Sequence, residues 1–149
     1  MTGASTEWIV IADGEHARFL TRTAHGAFHT FKTLESETAG LRSSDLTSDE
    51  PGRAFESGDV ARHAIAPRED PHLREKHRFA ALVAAHVNAA AGAGLFGRLV
   101  LVAPIRTMTT LDSELDEPAS TRVTHRIRKD LTKVPDGDLA PHLPPWPAG

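Results

Sequence analysis

The stretch Arg98-Leu99-Val100-Leu101-Val102-Ala103 constrains the fold more than any other part of the chain, because after Arg98 every position is apolar. A run this short, with no polar face, reads as a strand buried within a sheet and closed by Pro104. Trp8-Ile9-Val10-Ile11-Ala12 is a second apolar run, ending at Asp13-Gly14, a dipeptide of the kind that joins hairpin strands. Beyond it, His16, Arg18, Leu20 and Arg22 alternate with Ala17, Phe19 and Thr21. After Gly26, the set Phe28, Thr30, Lys32 and Leu34 alternates with His29, Phe31 and Thr33. Three consecutive strands in a meander are the economical reading.

A long helix is expected to begin at Asp70-Pro71. Asp accepts hydrogen bonds from the first free amides, and Pro loses nothing at the first helical position. Phe79, Val83, Val87 and Ala90 then share one face, with Ala80 and Leu82 beside them, until Gly92 and Gly94 end the helix. Met108, Leu111 and Leu115 have the spacing of a short helix ending before Pro118. Val123, His125 and Ile127 alternate with Arg122, Thr124, Arg126 and Arg128, which predicts a last strand with one basic face. Leu139 and Leu143 fit a brief final helix. The order βββ-loop-α-β-α-β-α specifies an α/β fold, a mixed β-sheet with flanking helices. The 149 residues contain no internal repeat. They fit a single domain spanning 1–149, long enough to bury about 70% of its unfolded surface.

Residues 36–70 differ from the rest: Ser, Thr, Asp, Glu, Gly, Pro and Arg dominate, with isolated Leu41, Leu46, Phe55, Val60 and Ile65. A loop of this length inside one domain is uncommon and usually functional or disordered. Pro51-Gly52 is a type II turn pair that could bring Asp49 beside Arg53. Two readings follow. Arg53, Arg62 and His63 could face a phosphate, which the planar guanidinium binds through two hydrogen bonds. Alternatively, an Asp49–Arg53 ion pair pins the loop to the domain.

Composition excludes some chemistry and limits the rest. With no Cys in the chain, thiol nucleophiles, thiolate zinc sites and disulfides are impossible. A net charge of -3, from 17 basic against 20 acidic residues, excludes a broadly basic nucleic-acid binder but permits a local patch. The first residues, MTGASTEWIV, carry no signal-peptide pattern. No apolar run approaches the roughly 20 residues that span a bilayer, so a cytoplasmic protein without membrane insertion is expected.

Candidate catalytic residues are Asp13, Asp49, His63 and Asp130. Asp13 and Asp130 flank predicted strands and, with Asp112 and Glu114, invite a two-metal reading, but no spacing forces the convergence it needs. Asp13 is equally the first residue of a turn. Nine His residues supply no metal-ligand spacing; His72, His77 and His86 are five and nine positions apart on the long helix. Ser43, Ser44, Ser48 and Ser57 lack a nucleophile elbow. Gly92, Gly94 and Gly97 have a dinucleotide-loop spacing in the wrong context, after a helix and before a strand. No metal and no cofactor are expected. The basic face of Arg122, Arg126 and Arg128, extended by Lys129 and Lys133, is the strongest nucleic-acid signal, although it lacks interleaved aromatics for stacking. An ordinary solvated strand face explains it equally well. The Pro-rich tail, 144–149, is a peptide-ligand pattern or a segment packed through Trp146.

Several of these segments together resemble the bacterial host-attachment protein family. They are Trp8-Ile9-Val10-Ile11-Ala12-Asp13-Gly14, Ser48-Asp49-Glu50-Pro51-Gly52-Arg53 with Phe55, Arg62-His63-Ala64, Asp70-Pro71, Phe79-Ala80, Leu99 to Pro104, and Lys129-Asp130-Leu131-Thr132. The resemblance runs from Trp8 to about Leu143. It extends to the release-factor central domain of archaea and eukaryotes, and implies a ribonuclease H-like α/β fold. In release factors the loop before the long helix carries a Gly-Gly-Gln motif that enters the ribosomal peptidyl-transferase centre; residues 40–70 correspond to it here. This chain contains no Gln, so that hydrolytic motif is absent. After Pro104, Met108 to Leu115 replace the Leu-Gly-x-Leu-Arg pattern of the attachment family. The resemblance implies a noncatalytic or regulatory role with RNA or the ribosome as partner. An indirect role in attachment through a protein partner, and a hydrolase acting at the 40–70 loop, are the alternatives.

Overall fold

Both apolar runs become neighbouring central strands. β1 (Glu7–Ala12) and β4 (Arg98–Val102) pair in parallel, with Trp8 beside Leu99 and Val10 beside Leu101. The computed structural model describes residues 6–23, 26–37, 39 and 71–144. β2 (His16–Arg22) and β3 (Phe28–Glu35) follow β1 as the expected antiparallel meander, and β5 (Val123–Ile127) adds in parallel to β4. The sheet order is β3-β2-β1-β4-β5. The fold is therefore a mixed five-stranded α/β sheet, as the element order indicated.

Among the described residues, three helices cover one face. α1 (Pro71–Gly92) buries Phe79, Ala80, Val83, Ala84, Val87, Ala90 and Ala91 against Trp8, Val10, Phe19 and Leu101. Leu82, expected beside this stripe, lies on the helix flank and is 46% exposed. α1 stops where Gly94 takes φ +72° and its amide donates to Ala91 O, while Leu95 N reaches Ala90 O. These bonds satisfy carbonyls that the helix leaves free, at a φ that favours glycine. α2 (Ile105–Glu114) ends one residue before Leu115. Pro118, expected to stop it, instead lies in the first turn of a further short helix, α3 (Glu117–Ser120). Asn88 clamps the junction: its Nδ2 donates to Glu114 O at 3.0 Å and its Oδ1 accepts from Asp116 N at 2.9 Å.

The opposite face is covered by the chain after β5. Leu131, Leu139 and Leu143 pack on Ile9, Ile11, Leu20, Val100 and Val102. The expected final helix is two single turns of 3₁₀ type, Asp136–Asp138 and Ala140–His142. With little regular structure, this covering segment depends on side chains of the sheet. Arg18 Nη1 donates to the carbonyls of Leu131, Thr132 and Val134 at 3.0, 3.2 and 2.7 Å, and Nη2 to Asp136 Oδ1 at 2.6 Å. Arg22 Nε donates to Glu7 Oε1 at 2.7 Å and Nη2 to Pro144 O at 3.1 Å.

The strict alternation predicted for β3 fails at one point. Phe19 pairs with Lys32 but Leu20 pairs with Thr30, so Phe31 is an extra residue in a β-bulge. Thr30 consequently faces the C-terminal segment, where it meets Asp136, whereas Lys32 faces α1, with Nζ 3.2 Å from His86 Nδ1. Phe31 turns to the same side, 5.0 Å from the Trp8 ring. Burial of His86, reinforced by the charge of Lys32, lowers its pKa.

Asp136 adds an acid-sensitive contact. Partial burial works to raise its pKa, but the Thr30 hydroxyl and amide and the Arg18 guanidinium outweigh that and hold it below the ordinary value. A carboxyl depressed on folding contributes its stability above the unfolded pKa, about 3.9, and loses it as pH falls through the native value. Stability followed by denaturant titration should therefore decline below about pH 4, and Asp136→Asn should reduce that part of the decline. A variant with the same acid limb as wild type would remove Asp136 from the account.

Candidate functional site

Asp13 ends β1 at the carboxyl edge of the parallel strands, where open α/β sheets bind ligands. Its Oδ1 accepts from Glu15 N at 2.8 Å and His16 N at 2.7 Å, which fixes the tight turn into β2. Its Oδ2 accepts from Thr132 Oγ1 at 3.1 Å, and the same hydroxyl lies 2.7 Å from Asp130 Oδ1. The single hydroxyl proton of Thr132 serves one carboxylate at a time. Two segments 119 residues apart thus meet here, and the candidates Asp13 and Asp130 are joined through one threonine.

His16 stands beside this bridge. Its Nδ1 is 3.6 Å from Asp13 Oδ1 and its Nε2 is 3.9 Å from Glu35 Oε2. A cleft of about 520 Å³ opens between β3 and the C-terminal segment, with His16 and Arg18 along its floor. Thr33 and Glu35 form one wall, and Thr132 and Lys133 the other. The Arg18 guanidinium points Nη1 at the backbone carbonyls and Nη2 at Asp136, and among the described residues Lys133 is a second cation lining the cleft.

Described residues on either side of segment 40–70 meet the same turn. At the exit from β3, Ser36 N donates to Glu15 O at 2.8 Å. At the other end, α1 packs against Gly14 so closely that a Cβ there would lie 2.5 Å from Lys76 Cγ. Glycine at position 14 is what lets the helix start approach the turn. Asp49, Arg53, Arg62 and His63, together with residues 145–149, lie outside the described residues.

The arginines of β5 do not form one free face. Arg122 Nη1 donates to Ala91 O at 2.9 Å, capping the end of α1, and its guanidinium carbon lies 6.0 Å from the centre of the Phe96 ring. Arg126 Nε donates to both oxygens of Asp112, at 2.8 and 3.0 Å. That contact also occupies Asp112, one of the carboxylates considered for metal chemistry. Arg128 and Lys129 are exposed and form no ion pair among the described residues. Among the described residues, no three His, Asp or Glu side chains are placed to hold a metal ion.

Sequence reasoning singled out Asp13 and Asp130 but not His16, Glu35 or Thr132. The signals were present: Thr132 closes the Lys129-to-Thr132 motif, and His16 follows Asp13 by three residues across a turn. No spacing in the sequence shows that these two segments meet.

Among the described residues, no helix is long and apolar enough to cross a membrane. A family model described as "Protein required for attachment to host cells" matches residues 8–143. No curated protein matches the sequence. Among solved structures, the fold is similar to that of the archaeal translation termination factor aRF1, with a TM-score of 0.52 and 11% sequence identity. The match covers 92% of this chain and 34% of that one, so the chain spans about a third of the factor's length. At that identity the likeness is one of fold.

Proposed function

We propose, from the premise that the chain belongs to the family of proteins required for attachment to host cells, that it is a noncatalytic or regulatory RNA- or ribosome-associated protein of the cytoplasm. One observation carries this reading. Ser36, before segment 40–70, and Lys76, after it, both meet the β1–β2 turn beside a polar cleft, in a fold similar to part of a translation termination factor. In this account Arg53, Arg62 and His63 contact phosphate, and exposed Arg128 extends that contact. Arg122 and Arg126 hold β5 to the helices and position the surface. The absence of Gln supports a role without release-factor hydrolysis. Attachment to host cells is then affected indirectly, through RNA or through a protein partner.

Sucrose-gradient sedimentation of tagged protein from cell extract tests the proposal. The wild type should travel with ribosomal particles or RNA and move toward the top of the gradient as salt rises, because phosphate contacts release counterions. Arg53→Ala/Arg62→Ala should shift it to the top at low salt. A wild-type protein that stays at the top while ribosomes are intact would contradict the proposal.

The meeting of Asp13 and Asp130 at Thr132 favours one second reading, hydrolysis at the root of the segment. It requires that Asp13→Asn and Asp130→Asn abolish turnover of an identified substrate without unfolding the chain.

A further inference from the structure

We infer that the cleft between β3 and residues 132–133 is a nucleotide subsite that takes one guanine nucleotide, free or as an unpaired nucleotide of RNA. This deepens the RNA reading and rests on it for its biological setting. The volume, about 520 Å³, lies in the range of small-molecule sites, roughly 300–1,000 Å³. What decides the ligand class is the set of polar groups still open to it.

Arg18 directs Nη1 at three carbonyls and Nη2 at Asp136, whose carboxylate already balances its charge. Lys133, on one wall, is exposed and makes no ion pair among the described residues. Glu35, on the other wall, has a side chain 47% exposed, with the His16 imidazole 3.9 Å away, beyond hydrogen-bond reach. Thr33, beside it, also makes no side-chain hydrogen bond among the described residues. Between the walls lies the ring of His16, itself 43% exposed. The cleft therefore offers a cation at one side, a carboxylate that can only accept at the other, and a flat ring between them.

A matching ligand carries an anion at one end, N–H donors at the other and a planar body. Inorganic phosphate would leave Glu35 facing a like charge. An α-amino acid holds both charges on one carbon and cannot divide them between two walls. A nucleotide divides them: phosphate to Lys133, base stacked on the imidazole, base edge to Glu35. Guanine presents two adjacent donors, N1–H and N2–H, which a carboxylate accepts side by side. Uracil flanks its one N–H with carbonyl oxygens, which would face the carboxylate unpaired.

Calorimetric titration of the full chain with GMP, AMP, CMP and UMP, and with a short single-stranded RNA containing one G, tests the inference. GMP should bind about tenfold or more tightly than UMP, as expected when a wrong ligand leaves a polar group unpaired. Glu35→Gln should remove most of that preference, and Lys133→Ala should weaken all four nucleotides alike. Both side chains are exposed, and an unchanged melting temperature would confirm that the variants fold. Tighter binding of the oligomer than of GMP would identify RNA as the source, and equal binding a free nucleotide; both support the subsite. No saturable binding of GMP, or a GMP preference that survives Glu35→Gln, would overturn it. Wild-type protein that travels with ribosomes but binds no GMP would overturn the subsite alone. GMP binding by a protein that never cosediments with RNA would retain the subsite and remove the ribosomal role.

Discussion

Arg18→Met is expected to destabilise the protein by about 3–5 kcal/mol, because several acceptors lose a charged hydrogen-bond donor at once. The Arg18 side chain is only 13% exposed and supplies four hydrogen bonds to residues 131–136. Met retains the apolar stem and deletes the guanidinium. Three carbonyls then lose the guanidinium, Leu131 O alone keeping another donor among the described residues, Val134 N, and the Asp136 carboxylate keeps the Thr30 amide and hydroxyl. For a domain of this size the loss corresponds to a fall of about 10 °C in Tm. Hydrogen exchange locates the effect: amides of residues 131–143 should exchange faster, while those of β1 and β4 should follow only the global loss. A loss under about 1 kcal/mol would mean that Leu131, Leu139 and Leu143 hold this segment by apolar contact alone.

The second large effect concerns Glu7 and Arg22, whose side chains are 6% and 4% exposed and joined at 2.7 Å. Arg22 also lies 4.5 Å above the Phe28 ring and donates to Pro144 O. Glu7→Leu alone removes the carboxylate that meets the buried guanidinium at 2.7 Å, expected to cost about 3–5 kcal/mol. Adding Arg22→Met removes the guanidinium as well. The double variant should recover much of the loss, since well-packed apolar pairs often replace buried ion pairs at little cost. Denaturant unfolding of wild type, both single variants and the double variant measures the coupling. Additive losses would show that the two groups act independently, against the geometry described above.

Neither arginine was read as structural from the sequence, although the alternation of His16, Arg18, Leu20 and Arg22 correctly put them on one face of β2. A charged residue alternating along a strand normally implies a wet face. Here that face is covered by a segment whose backbone is mostly irregular, and irregular backbone needs donors from elsewhere. The periodic parts of the fold were legible for the corresponding reason. α1 begins at Pro71 and ends at Gly92, and β4 is buried from Leu99 onward, because apolar spacing and glycine or proline punctuation are local signals.

Parallel pairing, strand order and the bulge at Phe31 were not legible, since each depends on contacts between segments far apart in sequence. The basic face of β5 shows a related limit. Alternation placed Val123 and Ile127 on one face opposite Arg122 and Arg126. The register shifts at Thr124, so Val123 packs on the α1 side and Ile127 on the other, and Ala91 O and Asp112 accept the arginines' hydrogen bonds. At the candidate site, Asp13 and Asp130 were found by chemistry, whereas their junction at Thr132 required the fold.

Ultraviolet cross-linking in living cells, followed by purification under denaturing conditions and mapping of the attached RNA and peptide, tests the association with RNA most directly. RNA should be recovered well above an untagged control, with cross-links on peptides from 40–70 or beside the cleft, and Arg53→Ala/Arg62→Ala should abolish recovery. Wild-type protein that is expressed and folded yet yields no RNA above that control would contradict the account.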